Sequence, residues 1–341
     1  MDPMKVQQVL SSRHEPRFRL SQILDAVYKD GAASYSDITT LPAALREALE
    51  PEAPILSLRE ERTVVSKDGR ARKAVLALAD GQRIESVLLK PKPGDAWSAC
   101  ISTQVGCAVG CSFCATGLMG FRRDLTVEEV TDQVVFWRQY LRREGVPGRL
   151  TNVVYMGMGE PFHCYETTAA SLRALTDPER LGLAQRHVSV STVGLVPGIR
   201  RFADDFPQVN LALSLHAAED ELRSRLVPAA KAYPLAALAE ALGYYLEKTG
   251  RKVFLEYVLL DGENDGAVHA DALVRWVRAC GRPGLLHVNL IAWNPTKTAH
   301  APATAEKARA FKERLIEKGV HVTIRKSLGQ DIEGACGQLI A

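Results

Sequence analysis

No apolar run in this chain is long enough to span a bilayer, so no membrane helix is expected. Nothing at the N-terminus has the pattern of a secretory signal. That points to the reducing cytoplasm, where a disulfide framework is disfavoured. A strong charge of either sign is also missing: 43 Lys and Arg stand against 40 Asp and Glu, a net +3. Such a balance neither requires nor excludes nucleic acid. Internal repeats and low-complexity segments are absent. What remains is an ordinary globular composition, 46% hydrophobic and 24% charged, over 341 residues. That length suits two domains, or one large domain with an appendage.

The most telling shortage is a fourth ligand. Cys107-Ala-Val-Gly-Cys111-Ser-Phe-Cys114 offers three thiolates in a C-x3-C-x2-C run. A structural zinc site usually shows paired knuckles, and no His or second Cys pair lies close by. The nearest extra thiol is Cys100. Inert buried cysteines do not normally cluster like this. Three thiolates can hold a 4Fe–4S cluster with one iron left open. S-adenosylmethionine (SAM) can chelate an open iron through its amino and carboxylate groups, which points to radical chemistry. Zinc remains the alternative from spacing alone.

Residues 4–49 carry apolar residues at helical spacing over Met4–Ser12, Arg19–Lys29 and Pro42–Leu49. Ile55–Ser66, Lys73–Ala79 and Arg83–Leu89 read as strands, separated by the hairpin signals Asp68-Gly69 and Asp80-Gly81. Residues 1–92 are therefore expected to form a small N-terminal α+β accessory domain. Pro91-Lys92-Pro93-Gly94 marks its boundary with residues 93–341. Beyond it, strands at Cys100–Gln104, Asn152–Met156, Val188–Val193, Asn210–Leu215, Val253–Leu259 and Leu286–Ile291 alternate with helices. The expected class is α/β, a partial (βα)6 TIM-like barrel with chemistry at the C-terminal strand ends. The cysteine loop follows the first of those strands.

The other strand ends carry Met156-Gly157-Met158-Gly159-Glu160-Pro161, Ser191-Thr192-Val193-Gly194, Ser214-Leu215-His216 and Asn294-Pro295. Each alone reads as a tight turn or, for His216, a satisfied core residue. Together they put small polar groups on one rim. The glycines would let backbone approach a ligand, and Glu160 would pair with a cationic amino group. Gly329 to Leu339 is a Gly-rich tail holding Cys336, expected to be mobile and accessible. Arginine clusters at 122–123, 138 with 142–143, 200–201, and Arg70, Arg72 with Lys73 would be solvated faces or an RNA-facing surface.

The cysteine run, MGMGEP, the S-T-x-G turn, S-L-H, Asn294-Pro295 and the terminal A-C-G-Q-L together resemble the RlmN/Cfr family of radical-SAM methyltransferases. The resemblance covers nearly the whole chain, from about residue 12 to residue 339. The C-x3-C-x2-C run marks the superfamily only; A-C-G-Q-L with MGMGEP is close to diagnostic for the family. The family's substrate is an adenine of 23S ribosomal RNA in the peptidyl-transferase centre. The resemblance implies one 4Fe–4S cluster and two SAM per turnover. One SAM methylates Cys336 by displacement. A second is reductively cleaved to a 5′-deoxyadenosyl radical, which takes hydrogen from that methyl. The carbon radical adds to adenine, whose C2 and C8 are too electron-poor to attack a sulfonium. Cys100 then resolves the enzyme–RNA adduct.

Carried over residue by residue, Cys107, Cys111 and Cys114 match the cluster ligands. Gly159, Glu160, Ser191, Ser214, Leu215, His216 and Asn294 match SAM contacts. Glu85 matches a proton acceptor, although alone it reads as an exposed strand residue. Cys164 and Cys280 match nothing and read as structural thiols. The resemblance further implies a monomer served by an electron donor such as flavodoxin or ferredoxin, and leaves transfer RNA open as a second substrate. Two departures stand out. Pro228-Ala229-Ala230-Lys231 replaces a Pro-Ile-Asn-like segment. Glu160-Pro161 and Gly120-Phe121-Arg122-Arg123 look like the C2-methylating branch, whereas His287-Val-Asn-Leu-Ile and His321-Val-Thr-Ile-Arg look like the C8-methylating one.

Overall fold

The structure, a computed structural model, describes residues 1–340. Three helices come first: α1 (Pro3–Ser12), α2 (Phe18–Tyr28) and α3 (Ala43–Glu52). Asp2 caps α1 by accepting from the N–H groups of Met4 and Lys5. β1 (Leu58–Val65), β2 (Ala71–Leu78) and β3 (Arg83–Leu89) form an antiparallel meander. Its turns place Gly69 and Gly81 at φ +66° and +80°, a conformation that disfavours residues with a Cβ.

β4 (Ala96–Cys100) pairs antiparallel with β3 and is the last strand to do so. A short ribbon follows, β5 (Gln104–Gly106) against β6 (Phe121–Asp124), with α4 (Ala115–Leu118) between them. Then come α5 (Val127–Arg143), β7 (Arg149–Tyr155), α6 (Tyr165–Thr176), β8 (Val188–Thr192), α7 (Val196–Asp205) and β9 (Asn210–Ser214). α8 (Asp220–Leu226), α9 (Leu235–Thr249), β10 (Val253–Leu259), α10 (Ala267–Ala279), β11 (Leu286–Ala292), α11 (Ala305–Glu317) and β12 (His321–Arg325) complete the set. The main sheet runs β1-β2-β3-β4-β7-β8-β9-β10-β11-β12 and is parallel from β4 onward. It is an open, partial TIM-like barrel, as the alternation predicts.

Two elements differ from the sequence reading. The first barrel strand is Ala96–Cys100, not Cys100–Gln104. Beyond Cys100 the chain is drawn off the sheet: the Ser102 N–H donates to Gln133 Oε1 of α5, and Thr103 N–H to the Met158 carbonyl. The seventh parallel strand, β12, was not expected. It lies at the sheet edge with only Val322 buried, so it lacks the apolar signature of its neighbours.

The N-terminal sheet and the barrel sheet are one sheet, joined at β3–β4. α5 braces the join from behind. Thr126 and Glu129 close a capping box at its start. Further along, Asp132 accepts from Ser57 N–H and Oγ–H, and Gln139 donates to the Ala32 carbonyl.

After β12 the tail crosses the open side of the barrel instead of hanging free. Asp331 accepts from the Lys67 N–H at 2.8 Å, and Glu85 from the Ile340 N–H at 2.8 Å. Ala115 N–H donates to the Gly337 carbonyl, and Thr116 Oγ–H to that of Leu339. Four tail residues, Asp331, Gly337, Leu339 and Ile340, make these contacts. The expectation of a mobile tail is corrected: its backbone groups are paired, which fixes it.

Candidate active site

The C-terminal strand ends open on a cleft whose empty space, open mouth included, is about 1080 Å³. Cys107, Cys111 and Cys114 form one wall, between β5 and α4. Their loop is held by Cys107 N–H on the Gly120 carbonyl and Ser112 N–H on that of Leu226. Burial pushes Cys107 up to about 12 and Cys111 well above its ordinary value. Coordination would have to draw those protons off. Among the described residues no three His, Cys, Asp or Glu side chains gather closely enough for a single ion. Three thiols spread along one loop suit a cubane, whose irons each take one thiolate.

Opposite the thiols stands Glu160, 2% exposed. Oε1 accepts from Phe162 N–H at 3.0 Å and Oε2 from Val193 N–H at 2.8 Å. Burial nevertheless raises it to about 7, because no cation faces it. A buried carboxylate still lacking a cationic partner fits the amino group of SAM, as the sequence suggests. Gly159 precedes it at φ +105°. A Cβ on Gly157 or Gly159 would meet Ile101, Ser102, Thr103 and Gln104, not the cavity. These glycines are required by packing of the β7 loop on the segment after β4, rather than by ligand approach.

Ser191 and Ser214 touch each other at 3.2 Å on neighbouring strand ends, and both line the cavity. His216 sits in a left-handed conformation, φ 60°, with Nδ1 accepting from Val258 N–H at 3.1 Å. Its remaining ring nitrogen is therefore the donor. Burial drops it to about 3, so it stays neutral. Asn294 Nδ2–H donates to the Cys336 carbonyl at 2.9 Å, and its Oδ1 accepts from Gln330. Leu215 is buried and does not line the cavity; it contributes backbone only, donating to the Glu256 carbonyl.

Cys336 is solvent-accessible, but from within: it lines this cavity and a second one of about 1120 Å³. Cys100, at the end of β4, lines the second, with Arg70, Arg325 and Lys326. Met156, Ile291, Arg325 and Leu339 join Cys336 in the partition between the two spaces. Burial raises both thiols, and the Arg325 guanidinium opposes that rise.

Glu85 lines neither cavity. It is 1% exposed, not a surface strand residue, and its second oxygen is 3.0 Å from Lys73 Nζ. That pair removes Lys73 from the basic clusters. Others are likewise committed: Arg123 to Asp80 and Glu129, Arg143 to Glu60, Arg201 to Glu166. Cys164 and Cys280 are buried away from both cavities. Ala230 packs among Cys111, Phe113 and Leu226 behind the cysteine loop and does not reach the cavity.

Sequence reasoning missed Glu256 and Arg325. Glu256 lines the first cavity, pairs with Arg325 at 3.0 Å and accepts from Asn289 at 2.9 Å. A lone carboxylate in the apolar stretch Val-Phe-Leu-Glu-Tyr-Val-Leu was the signal available.

The model of the radical SAM superfamily matches residues 101–273. The chain is 41% identical over 328 residues to a probable dual-specificity RNA methyltransferase RlmN of Symbiobacterium thermophilum, covering 95% of this chain and 86% of that one. It is likewise 41% identical to the protein of the same description from Geobacillus kaustophilus, covering 97% and 89%. A crystal structure of a radical SAM methyltransferase from Sphaerobacter thermophilus superposes with a TM-score of 0.92 at 43% identity, over 99% of this chain and 97% of that one.

Proposed function

The chain belongs to the RlmN/Cfr family of radical SAM methyltransferases, and from that premise we propose that it methylates an adenine of 23S ribosomal RNA at C2. Membership brings a 4Fe–4S cluster and SAM. The observation that carries the finer reading is Cys336, held in the partition between the cysteine-lined cavity and the one containing Cys100.

The residues divide the work. Cys107, Cys111 and Cys114 would hold the cluster, which when bound would supply the electron for reductive chemistry on SAM. Glu160, with Gly159, Ser191, Ser214, the Leu215 backbone, His216 and Asn294, orients SAM beside it. Asn294 also fixes the Cys336 carbonyl, so one residue sets both SAM and the methyl carrier. Cys336 takes the methyl from one SAM and faces a second, giving two per turnover. The second cavity would receive the adenine, with Arg70 and Lys326 near the RNA phosphates. Cys100, which lines that same space, would release Cys336 from the RNA adduct.

Support for C2 over C8 comes from location. Glu160 and Gly120 lie at the cavity and at the cysteine loop. Of the two C8-like stretches only the last residues, Ile291 and Arg325, reach the cavity; the histidines that begin them, His287 and His321, pair at the far ends of β11 and β12. Residues 1–92 act as the accessory RNA-contacting module, a transfer RNA adenine is a second substrate, and a flavodoxin- or ferredoxin-type donor serves a cytoplasmic monomer.

The test is anaerobic reconstitution to about four iron and four sulfide per chain, then reaction with SAM, reductant and a 23S RNA fragment. Adenines deuterated at C2 or C8 identify the carbon by mass spectrometry. Loss of the C2 label is expected; loss of the C8 label overturns the regiochemistry, and no methyladenine overturns the activity.

A further inference from the structure

Arg223 of α8 is the largest charged side chain fully enclosed by this protein, 1% exposed. It lines neither cavity and takes no part in the chemistry above. Nε–H donates to the Leu215 carbonyl at 3.2 Å, and an Nη–H to that of Val193. Both acceptors are neutral. Asp220, the carboxylate whose charge it feels among the described residues, spends an oxygen on the Leu235 N–H at 2.8 Å and forms no ion pair with it. A buried cation without a counter-ion is costly, so such a group is unexpected unless something compensates it.

The neighbouring face of α8 meets the cysteine loop. Leu222 and Leu226 pack with Cys111 and Phe113 in one apolar group, and Ser112 N–H donates to the Leu226 carbonyl at 3.0 Å. α8 is thus the wall behind the cysteine loop. Arg223 stands between Leu222 and Leu226 on that helix, which sets its charge about one helix width from the cysteine loop.

We propose that Arg223 is a positioning residue for charge: its fixed cation, buried behind Cys111, offsets the negative cluster and makes its one-electron reduction easier. The inference rests on the three cysteines holding a 4Fe–4S cluster. With three thiolates such a cluster is already anionic, and the electron it takes from an external donor makes it more so. Net charge and burial are what set cluster potentials. A cation in a low-dielectric wall favours the reduced state, and salt screens it little. Burial lowers the Arg223 guanidinium to about 10, so it stays protonated at neutral pH. Its two carbonyl acceptors come from the loops after β8 and β9, so the same side chain keeps the charge in register with the SAM rim.

Two variants separate charge from tethering: Arg223→Lys keeps the charge, and Arg223→Gln keeps a donor without it. Each is reconstituted anaerobically and titrated without SAM, the reduced cluster being counted by electron paramagnetic resonance. Arg223→Gln is expected to lower the reduced-to-oxidised ratio at fixed potential at least tenfold, ~59 mV for one electron. Arg223→Lys should change it less than threefold. Equal shifts in the two, or none in Arg223→Gln, overturn the proposal. If Arg223→Gln takes up no cluster, melting of the cluster-free proteins decides. A cation waiting for its partner predicts that Arg223→Gln melts at or above wild type; a clear drop makes Arg223 a tether only. A wild-type protein that binds no iron and sulfide would refute the functional reading itself, which is a separate result.

Discussion

The backbone N–H of Ile340 donates to Glu85 Oε2 at 2.8 Å, while Glu85 Oε1 stands 3.0 Å from Lys73 Nζ. A strand of the N-terminal sheet therefore holds the tail that carries Cys336. Removing the carboxylate strands Lys73 in the interior and frees the tail amide. Glu85→Ala should cost about 3 kcal/mol, the scale of breaking a buried pair. Hydrogen exchange at residues 335–340 should accelerate, and Cys336 in the cluster-free protein should alkylate faster. Lost activity with tail exchange unchanged would instead favour the proton-acceptor role that the family resemblance gives Glu85.

Cys336→Ala should abolish methylation while leaving iron content and SAM binding intact. Its side chain adds nothing to the hydrogen bonds that hold the tail, since Asn294 contacts only its carbonyl. RNA methylation assayed by mass spectrometry, beside equilibrium dialysis of SAM, checks both halves. Turnover retained in the variant would refute a methyl-cysteine route.

For Cys100→Ala the expected outcome is a trapped protein–RNA species. Cys100 and Cys336 share the second cavity, and no other cysteine lines it. Denaturing gels of the reacted mixture should show a shifted band that ribonuclease removes. Simple inactivity without that band would count against the resolving role.

Glu160 carries a pH dependence. Its folded value of about 7 lies above the ordinary 4.5, so the folded empty protein binds more protons than the unfolded chain between those values. Stability then falls as pH rises through that window. At ~1.36 kcal/mol per unit the contribution is ~3 kcal/mol. Denaturant melts of the cluster-free protein should show this loss between pH 4.5 and 7, and Glu160→Gln should flatten it. An equal slope in the variant would show that the carboxylate does not see the burial described above.

The strand–helix alternation was readable because buried parallel strands are near-continuous apolar runs, and Val253–Leu259 and Val188–Thr192 appear where that signal puts them. β12 was not, because an edge strand buries only Val322 and carries no such run. Cys100 was placed one strand-length wrong: hydrogen bonds from Ser102 and Thr103 to α5 and the β7 loop end the strand, and those partners are distant in sequence. The same distance hid the Glu256–Arg325 pair.

Sequence alone determined the chemistry on offer. Three thiols at fixed short spacing, a terminal cysteine and a rim of strand-end turns are local patterns, and local patterns survive in a string of letters. Tertiary structure alone decided how they meet. It held the tail across the open barrel, set Cys336 in the partition between two cavities, buried Glu85 in an ion pair, and left Arg223 unpaired behind Cys111. Those outcomes depend on which desolvated group finds a partner, and partners are supplied by segments that only folding brings together.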